Sequence, residues 1–435
     1  MSGVEDLTKT IIIVASLSLI VATFININIG LAVILLSMLL SPELEAGSAG
    51  GRAVVIRVED LVLIIVSVTW LAKMAIEKAL PLIRKSPLNA PIGLYVAILC
   101  ISTLRAMLQG GVSPLKGTFY VLKLSEYFML YFIVYNHVNT SKQVKLFLGV
   151  LLFTGFIVGI YGNTHIGKVE RLAAPFEGHG EPNTLGGYLL FILCIVAGLV
   201  MYYKKGRNVL VLIFLFLVPT FIFTLSRASY LGMIPALFVL AILTNRKAVI
   251  NSVLIVFVAF ALFVALGPPK VKKRILTTFK PIERQKLKRV GVVPLGPSPA
   301  ARVKSWKDIM LRDFPRKPLL GYGLSGGIFL DSQYVLAINE TGIIGFLLFL
   351  WLMWRIWRSA YGVFRTVEDP LYKGLAVGYL TGFVGLLVHA IGTNTFIIIR
   401  IAEPFWFFTA VVLKLRDIET GKVKEQEAPW QSPWH

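Results

Sequence analysis

The sequence predicts an all-α membrane protein that crosses the bilayer about twelve times. Of its 435 residues, 56% are hydrophobic and only 15% are charged, and the mean hydropathy is +0.75. The apolar residues are gathered in runs of roughly 20, the length that a helix needs to span the hydrocarbon core. No polar run is long enough to bury a core of its own, so the composition excludes a separate soluble domain.

The first element is an apolar run over residues 9–40, which is too long for one straight crossing. Asn26, Asn28 and Gly30 interrupt it, which predicts either one bent span or two short ones. The segment MSGVEDLTKT lacks the basic region and the cleavage site of a signal peptide, so the first span is expected to be retained. Further spans are predicted near residues 56–76, 88–108, 118–138, 144–163, 183–203, 208–225, 227–245, 248–266, 332–354, 374–391 and 395–414.

A basic loop over residues 267–330 separates the helices of residues 1–266 from the last three helices and tail of residues 331–435. It carries 15 Lys or Arg and 3 Asp or Glu, a net charge of +12, within a chain whose total is +21. Such a loop favours an anionic partner at the bilayer surface, and no nucleic acid is expected as a partner. Val303, Trp306, Met310 and Phe314 recur at spacings of three and four, which predicts an amphipathic helix lying on the membrane.

Short basic clusters orient the predicted spans. They fall in alternate connections, which is typical of cytoplasmic loops. The clusters are Arg84/Lys85, Lys142/Lys145, Lys204/Lys205/Arg207, Arg246/Lys247 and Arg355/Arg358/Arg365/Lys373. The basic loop then faces the periplasm, outside the cytoplasmic (inner) membrane. The connection 164–182, the turn 225–228, Asp331 and the turn 389–394 fall on the same face, which predicts one site there.

Two arginines are the main candidate ligands of that site. Arg227 lies at membrane depth, which costs about 2.5–3.5 kcal/mol unless the side chain is paired or lines a wet cavity. It is either an interfacial arginine that reaches lipid headgroups or a ligand of a phosphate. Arg302 opens the amphipathic helix and is either solvated or a second phosphate ligand. Two guanidinium groups on separate segments suit a pyrophosphate, because each binds phosphate oxygens bidentately.

Asp331 lies where the next span begins, so it is either a helix cap or a general base. Glu340, inside that span, is expected to be paired or functional.

Four other polar residues lie on the same face. Glu181 and Asn183 either line a sugar site or cap a helix, and His389 and Asn394 flank the turn between the last two spans. A histidine within a span is usually part of a hydrogen-bonded structure, but the position of His389 keeps it a candidate. The sequence contains no metal-ligand spacing and no nucleotide-binding motif, so no cofactor and no metal are expected.

Taken in order, several stretches resemble the O-antigen ligase and Wzy polysaccharide polymerase superfamily. They are GEPNTLGGYLL, TLSRASYLG, RVKSWKDIM, PLLGYG and DSQYVLAINETGIIGFLLFL, and the resemblance covers most of residues 170–412. It implies the C-type membrane glycosyltransferase fold. It also implies an inverting, metal-independent enzyme that moves a glycan from undecaprenyl pyrophosphate to a hydroxyl of a growing glycan or of lipid A core.

The resemblance assigns roles to particular residues. Arg227 and Arg302 match the two arginines that hold the donor pyrophosphate, and Tyr334 matches the tyrosine of a His-Asn-x-Tyr pattern. This chain has Asp331 where the family's ligases commonly have the histidine. That departure weakens the assignment of the base and favours a polymerase over a ligase.

A secondary transporter or flippase for an anionic lipid-linked sugar is the alternative, and a non-catalytic assembly protein is a weaker third. Many spans and a basic cavity suit a transporter. Transporters tend to have inverted repeats and helices broken at mid-membrane, whereas the polar residues here cluster at one face. The sequence therefore favours a glycosyltransferase.

Overall fold

The computed structural model describes residues 16–41, 43–49, 52–77, 84–176, 180–244, 305–328 and 330–421. Within these ranges the regular elements are helices, apart from one small hairpin. The helices are α1 (Ser16–Ile25), α2 (Ile27–Leu40), α3 (Val58–Glu77), α4 (Asn89–Leu108), α5 (Pro114–His137), α6 (Ser141–His165), α7 (Pro182–Tyr202), α8 (Arg207–Phe223), α9 (Arg227–Leu243), α10 (Gln333–Thr366), α11 (Pro370–Gly392) and α12 (Ile399–Glu419). A two-stranded antiparallel hairpin, β1 (Glu43–Ala49) and β2 (Arg52–Arg57), joins α2 to α3. The sequence analysis did not predict this hairpin.

The helices follow the apolar runs. Each predicted span from 56–76 to 227–245, and each of the last three, coincides with one helix. The predicted span at 248–266 and residues 9–15 lie outside the described residues. Asn26 separates α1 from α2, and its side-chain oxygen accepts a hydrogen bond from the Asn28 N–H at 3.0 Å. The predicted break is thus confirmed, because Asn26 caps α2.

The protein is a membrane protein by the length and composition of its helices. Five of the described helices, α4, α6, α7, α10 and α11, are long and apolar enough to cross a bilayer, and α1, α2, α8 and α9 are shorter apolar helices. Large apolar side chains such as Leu108 and Leu115 are more than 80% exposed on the bundle. Lipid is the environment that suits such a surface. The number of about twelve crossings stays a prediction.

Hydrogen bonds between loops define two ends of the helix bundle. At one end, Arg84 donates to Asn139, and Arg355 donates to the Pro87 carbonyl. The other end is formed by the start of α3, the α6–α7 loop, the α8–α9 turn, the start of α10 and the α11–α12 turn. We call it the polar end. The basic clusters at Arg84 and Arg355 therefore lie opposite the polar end.

Glycines let α11 lie close against α7 and α9. Gly374, Gly378 and Gly382 recur every four residues on α11. A Cβ added at Gly378 would lie 2.6 Å from the Ile195 Cα, and one added at Gly232 would lie 2.5 Å from the Gly385 carbonyl oxygen. Small residues at this spacing allow helix backbones to approach in a membrane, where apolar attraction between helices is weak.

A break in α10 attaches the glycine-rich segment 318–327 to the bundle. Gly342 has φ +65° and interrupts the helix, and Tyr322 and Gly323 donate to the carbonyls of Asn339 and Glu340 just before it. The Glu340 carboxylate accepts the Ser325 N–H at 2.9 Å. The Glu340 carboxylate is therefore hydrogen-bonded to the backbone of the glycine-rich segment.

Gly378→Val is expected to destabilise the fold by about 1–3 kcal/mol, because the new side chain meets the α7 backbone, which cannot move aside. The thermal unfolding midpoint of the purified protein in detergent measures this effect.

Gly362→Val is the matched control, since Gly362 is also within a helix and nothing lies within 4 Å of its added Cβ. Equal midpoints for the two variants would contradict the close α7–α11 contact.

Candidate functional site

The α8–α9 turn places Arg227 at the polar end. Helix α8 ends at Phe223, Leu225 adopts the left-handed conformation with φ +51°, and Ser226 caps α9. Arg227 is the first residue of α9, and its side chain is half-buried. A bulky residue at positive φ is uncommon and needs support from its surroundings. Here the left-handed Leu225 reverses the chain direction. Arg227 therefore begins α9 at the same end of the bundle at which α8 ends.

Arg171 holds this turn in place. Its Nε and Nη2 donate to the Thr224 and Leu225 carbonyls, both at 3.3 Å, and the Leu172 N–H donates to the Phe223 carbonyl. These carbonyls come at the C-terminus of α8, where backbone acceptors lack helical partners. Sequence reasoning missed Arg171, because a basic residue in a polar connection has no signal that separates it from a solvated one. The structure thus places the guanidinium group of Arg171 against the carbonyl of Leu225, which precedes Arg227 by two residues.

The starts of α7 and α9 are linked by side chains. The Ser226 Oγ donates to the Asn183 Oδ1 at 3.0 Å, and the Ser229 Oγ donates to the Ser226 Oγ at 2.8 Å. Gly186 makes this approach possible, because an added Cβ would collide with the Ser229 hydroxyl. Asn183 thus joins two helix N-termini, and its amide oxygen is already occupied.

Helix N-termini add to the positive potential of the polar end. Helices α7, α9 and α10 all begin there, at Pro182, Arg227 and Gln333. Each N-terminus carries a partial positive charge and N–H groups without helical acceptors, and both features favour an anion. Together with Arg171 and Arg227, they make this end suited to a phosphate or pyrophosphate group.

Asp331 is held beside the α11–α12 turn. The residues around it are anchored there: the Asn394 Nδ2 donates to the Leu330 carbonyl at 2.7 Å, and the Gln333 N–H donates to the Thr393 carbonyl at 3.1 Å. The cap position of α10 is taken by Ser332, so the prediction that Asp331 is a simple helix cap is wrong. Asp331 lies one residue earlier and is half-buried.

His389 and Asn394 lie inside the polar end. His389 is fully buried, and its Nδ1 lies 2.8 Å from the Thr395 Oγ1 and 2.9 Å from the Thr393 Oγ1. Its ring packs on α7, where a Cβ added at Gly187 would come within 2.9 Å of the His389 Cε1. Asn394 is 5% exposed. These placements favour a structural role, in which both residues hold the α11–α12 turn.

Tyr334 and Glu181 occupy different environments. The Tyr334 hydroxyl donates to the Leu387 carbonyl at 2.7 Å and so ties α10 to α11. Glu181 is at the cap position of α7, but its side chain makes no capping bond. It is exposed, and its Oε2 accepts from the Thr184 Oγ1 at 3.4 Å.

Arg302 lies outside the described residues, but the segment after it is described. Residues 305–316 are helical and include a π-helix over Ile309–Asp313. Ile309 is the buried residue there, whereas Met310, expected on the apolar face, is 37% exposed. The wider π-helical turn changes which residues share a face, and the predicted contact of the apolar face with the membrane stays a prediction. Lys317 and Tyr322, which follow, bind Gln109 and the Asp313 carbonyl.

Arg400, a residue that the sequence analysis did not single out, connects distant parts of the polar end. It is fully buried at the start of α12 and donates to the Pro175 carbonyl at 3.4 Å and to the Ser41 carbonyl at 3.1 Å. It therefore joins the end of α2 to the α6–α7 loop. An arginine in an apolar stretch of sequence is a signal of this kind of role.

Comparison of the chain with protein-family models finds no match, and comparison with curated proteins finds none either.

Arg171→Gln is expected to destabilise the polar end by about 1–3 kcal/mol, because the Thr224 and Leu225 carbonyls lose charged hydrogen-bond donors. Thermal unfolding in detergent measures the loss. Lys168→Gln removes the same charge from an exposed position of the same loop and should leave the midpoint unchanged. A loss of equal size in both variants would mean that net charge, rather than the two hydrogen bonds, stabilises the loop.

Proposed function

We propose that this protein is an inverting, metal-independent membrane glycosyltransferase. It moves a glycan from undecaprenyl pyrophosphate to a hydroxyl of an acceptor, as a polysaccharide polymerase or an O-antigen ligase. The acceptor is a growing glycan or lipid A core. The observation that carries the proposal is the convergence of Arg227, Arg171, three helix N-termini and Asp331 at one end of an apolar helix bundle.

The charge distribution supports a pyrophosphate-linked donor. A lipid-linked donor has an apolar tail that requires the bilayer and a dianionic group that requires cations near its surface. The bundle offers an apolar exterior, and Arg227 and Arg171 lie where the helices end. Arg302 follows from the sequence resemblance as the second phosphate ligand beside Arg227.

The proposed reaction is a direct displacement. The acceptor hydroxyl gives its proton to Asp331, and its oxygen attacks the anomeric carbon of the donor. The bond from that carbon to the pyrophosphate oxygen breaks, and the electron pair leaves with the pyrophosphate. Arg227 and Arg302 stabilise the charge that develops there. Attack from the face opposite the leaving group inverts the anomeric centre.

Asp331 is the preferred general base because of its position. A base must reach the proton that it removes. Asp331 is half-buried beside the α11–α12 turn, whereas His389 is fully buried between α7 and α11. Glu181 is exposed at the start of α7 and is the second choice.

The proposed orientation places the polar end in the periplasm, at the outer face of the cytoplasmic membrane. The clusters at Arg84 and Arg355 lie at the opposite end of the bundle, where the positive-inside tendency would make them cytoplasmic. The donor glycan and its acceptor would then meet outside the cell's cytoplasm.

One observation favours the alternative, a flippase or secondary transporter for the lipid-linked glycan. Helix α10 is broken at Gly342, and broken helices are common in transporters. The break is occupied by the segment 318–323, which hydrogen-bonds to the residues before it. Because those backbone groups bind protein rather than a cavity, we rank transport second.

Arg227→Ala and Arg302→Ala are each expected to reduce transfer at least a hundredfold, on the order of the loss when one transition-state donor is removed. The measurement uses purified protein in nanodiscs with an undecaprenyl-pyrophosphate-linked glycan, an acceptor glycan or lipid A core, and EDTA. Wild-type transfer in EDTA is expected. A ladder of products identifies a polymerase, and a single addition to lipid A core identifies a ligase.

Arg207→Ala is the matched control, because Arg207 is an exposed arginine that begins a helix at the opposite end of the bundle. Normal transfer by the Arg227 or Arg302 variant would refute the assignment of that arginine. Movement of the donor across a liposome membrane without transfer to any acceptor would favour the transporter.

Asp331→Asn is expected to lower the turnover number by about 10²–10⁴-fold, the usual contribution of a general base, with little change in donor binding. Single-turnover transfer, measured together with binding of the labelled donor, separates the two effects. Asn keeps the shape of the side chain and removes the proton acceptor. Wild-type turnover in this variant, with loss in Glu181→Gln, would move the role to Glu181.

A further inference from the structure

Phe176, in the loop between α6 and α7, is an aromatic residue in an unfavourable conformation. Its φ is +62°, and its side chain is 63% exposed. A bulky side chain at positive φ is uncommon, and such residues persist only where their surroundings impose the conformation. Glycine or asparagine would adopt it at lower cost. The position therefore combines a strained backbone with an apolar ring that the core of the bundle does not bury.

Arg400 places Phe176 over the middle of the polar end. It is fully buried at the start of α12, and its guanidinium group donates to the carbonyl of Pro175, the residue before Phe176. Helix α12 packs against α2, α5, α7, α10 and α11, and its residues 399–415 are all buried. It is thus a central helix of the bundle. A residue beside its start is surrounded by the other loops of the polar end and lies away from the lipid-facing surface.

The same loop reaches the proposed phosphate site. Arg171, five residues before Phe176, bonds the carbonyls of the turn that leads into Arg227. Five residues span at most about 18 Å when fully extended. On the other side, Gly180 lies against Ala173, since a Cβ added at Gly180 would come within 2.6 Å of the Ala173 Cβ. The loop therefore keeps Phe176 near the cations that the proposed function assigns to pyrophosphate.

An exposed aromatic ring on the aqueous side of a protein suits a sugar. The face of the ring carries partial negative charge, whereas one face of a pyranose presents mainly C–H groups, which are weakly positive. Stacking brings these faces together and removes the apolar surface of both from water. Lipid tails would also cover a phenylalanine ring, but Phe176 lies over a central helix rather than at the lipid-facing surface.

We propose that Phe176 is a sugar-binding residue of the polar end. Its ring stacks on a pyranose of the donor glycan and orients that sugar beside the pyrophosphate. This inference rests on the proposed function and adds the contact that recognises the sugar, whereas the arginines recognise the phosphates. The strained backbone is retained because it presents the ring to the ligand.

The strain makes a stability measurement informative. A residue retained for packing stabilises the fold, whereas one retained for a ligand need not. Phe176→Gly is expected to leave the thermal unfolding midpoint in detergent unchanged or to raise it, because glycine adopts positive φ readily. A lower midpoint for Phe176→Gly would show that the ring stabilises the fold by packing and would overturn the inference.

Equilibrium binding to protein in nanodiscs tests the sugar contact. The two probes are undecaprenyl pyrophosphate that carries a single N-acetylglucosamine and undecaprenyl pyrophosphate without a sugar. Phe176→Ala is expected to weaken binding of the sugar-bearing probe about tenfold and to leave binding of the other unchanged. Phe176→Trp keeps an aromatic face and should bind both probes as wild type does.

Phe238→Ala is the matched control, because Phe238 is 62% exposed on α9, away from the polar end. It should leave both affinities unchanged. An equal loss for both probes in Phe176→Ala would mean that the ring contacts the lipid tail or supports the phosphate site. That result, or equal binding of the two probes by wild type, would overturn the inference.

Transfer assays on the same proteins distinguish this inference from the function on which it rests. Phe176→Ala is expected to raise the donor KM about tenfold with kcat nearly unchanged, because a contact present in both ground and transition states is lost. Transfer by wild type with undiminished affinity in Phe176→Ala would refute the sugar contact and leave the glycosyltransferase standing. Binding of the sugar through Phe176 without transfer to any acceptor would do the reverse.

Discussion

The polar end depends on one constraint: backbone groups that a membrane protein withdraws from water must find partners within the protein. Each loop there provides hydrogen-bond partners for backbone groups of another segment that lack a partner within their own helix. The α6–α7 loop bonds the C-terminus of α8, the start of α10 bonds the α11–α12 turn, and the segment 318–323 bonds the broken backbone of α10. The loops are therefore fixed as a set, and the side chains that they carry are fixed with them.

This constraint separates the polar residues into two groups. Asn183, His389, Asn394 and Tyr334 each hydrogen-bond another residue of the polar end, although the His389 Nε2 and the Asn394 Oδ1 are buried without a hydrogen-bond partner among the described residues. These four residues hold loops together. Arg227 and Asp331 are half-buried, and neighbouring residues hydrogen-bond the segments that carry them. A site that acts on a ligand needs such support, because its reactive groups stay precise only where other residues hold their segments in place.

Much of the fold could be predicted from the sequence, because a helix that spans a membrane needs an apolar run of a certain length. Each segment meets that requirement through its own residues. The helix positions and the break at Asn26 follow from that requirement. The hairpin between α2 and α3, the π-helical turn at Ile309 and the left-handed Leu225 do not, since each depends on contacts with distant segments. In the same way, the sequence marked Arg227 by its apolar surroundings, whereas Arg171 acquires its role only when the α6–α7 loop meets α8.

Arg400 shows how a charge can be accommodated inside a bundle of apolar helices. It is fully buried at the start of α12. The arginine cannot lose its proton, so it must find acceptors, and it takes the carbonyls of Ser41 and Pro175. Arg400 therefore anchors these loops whatever the pH.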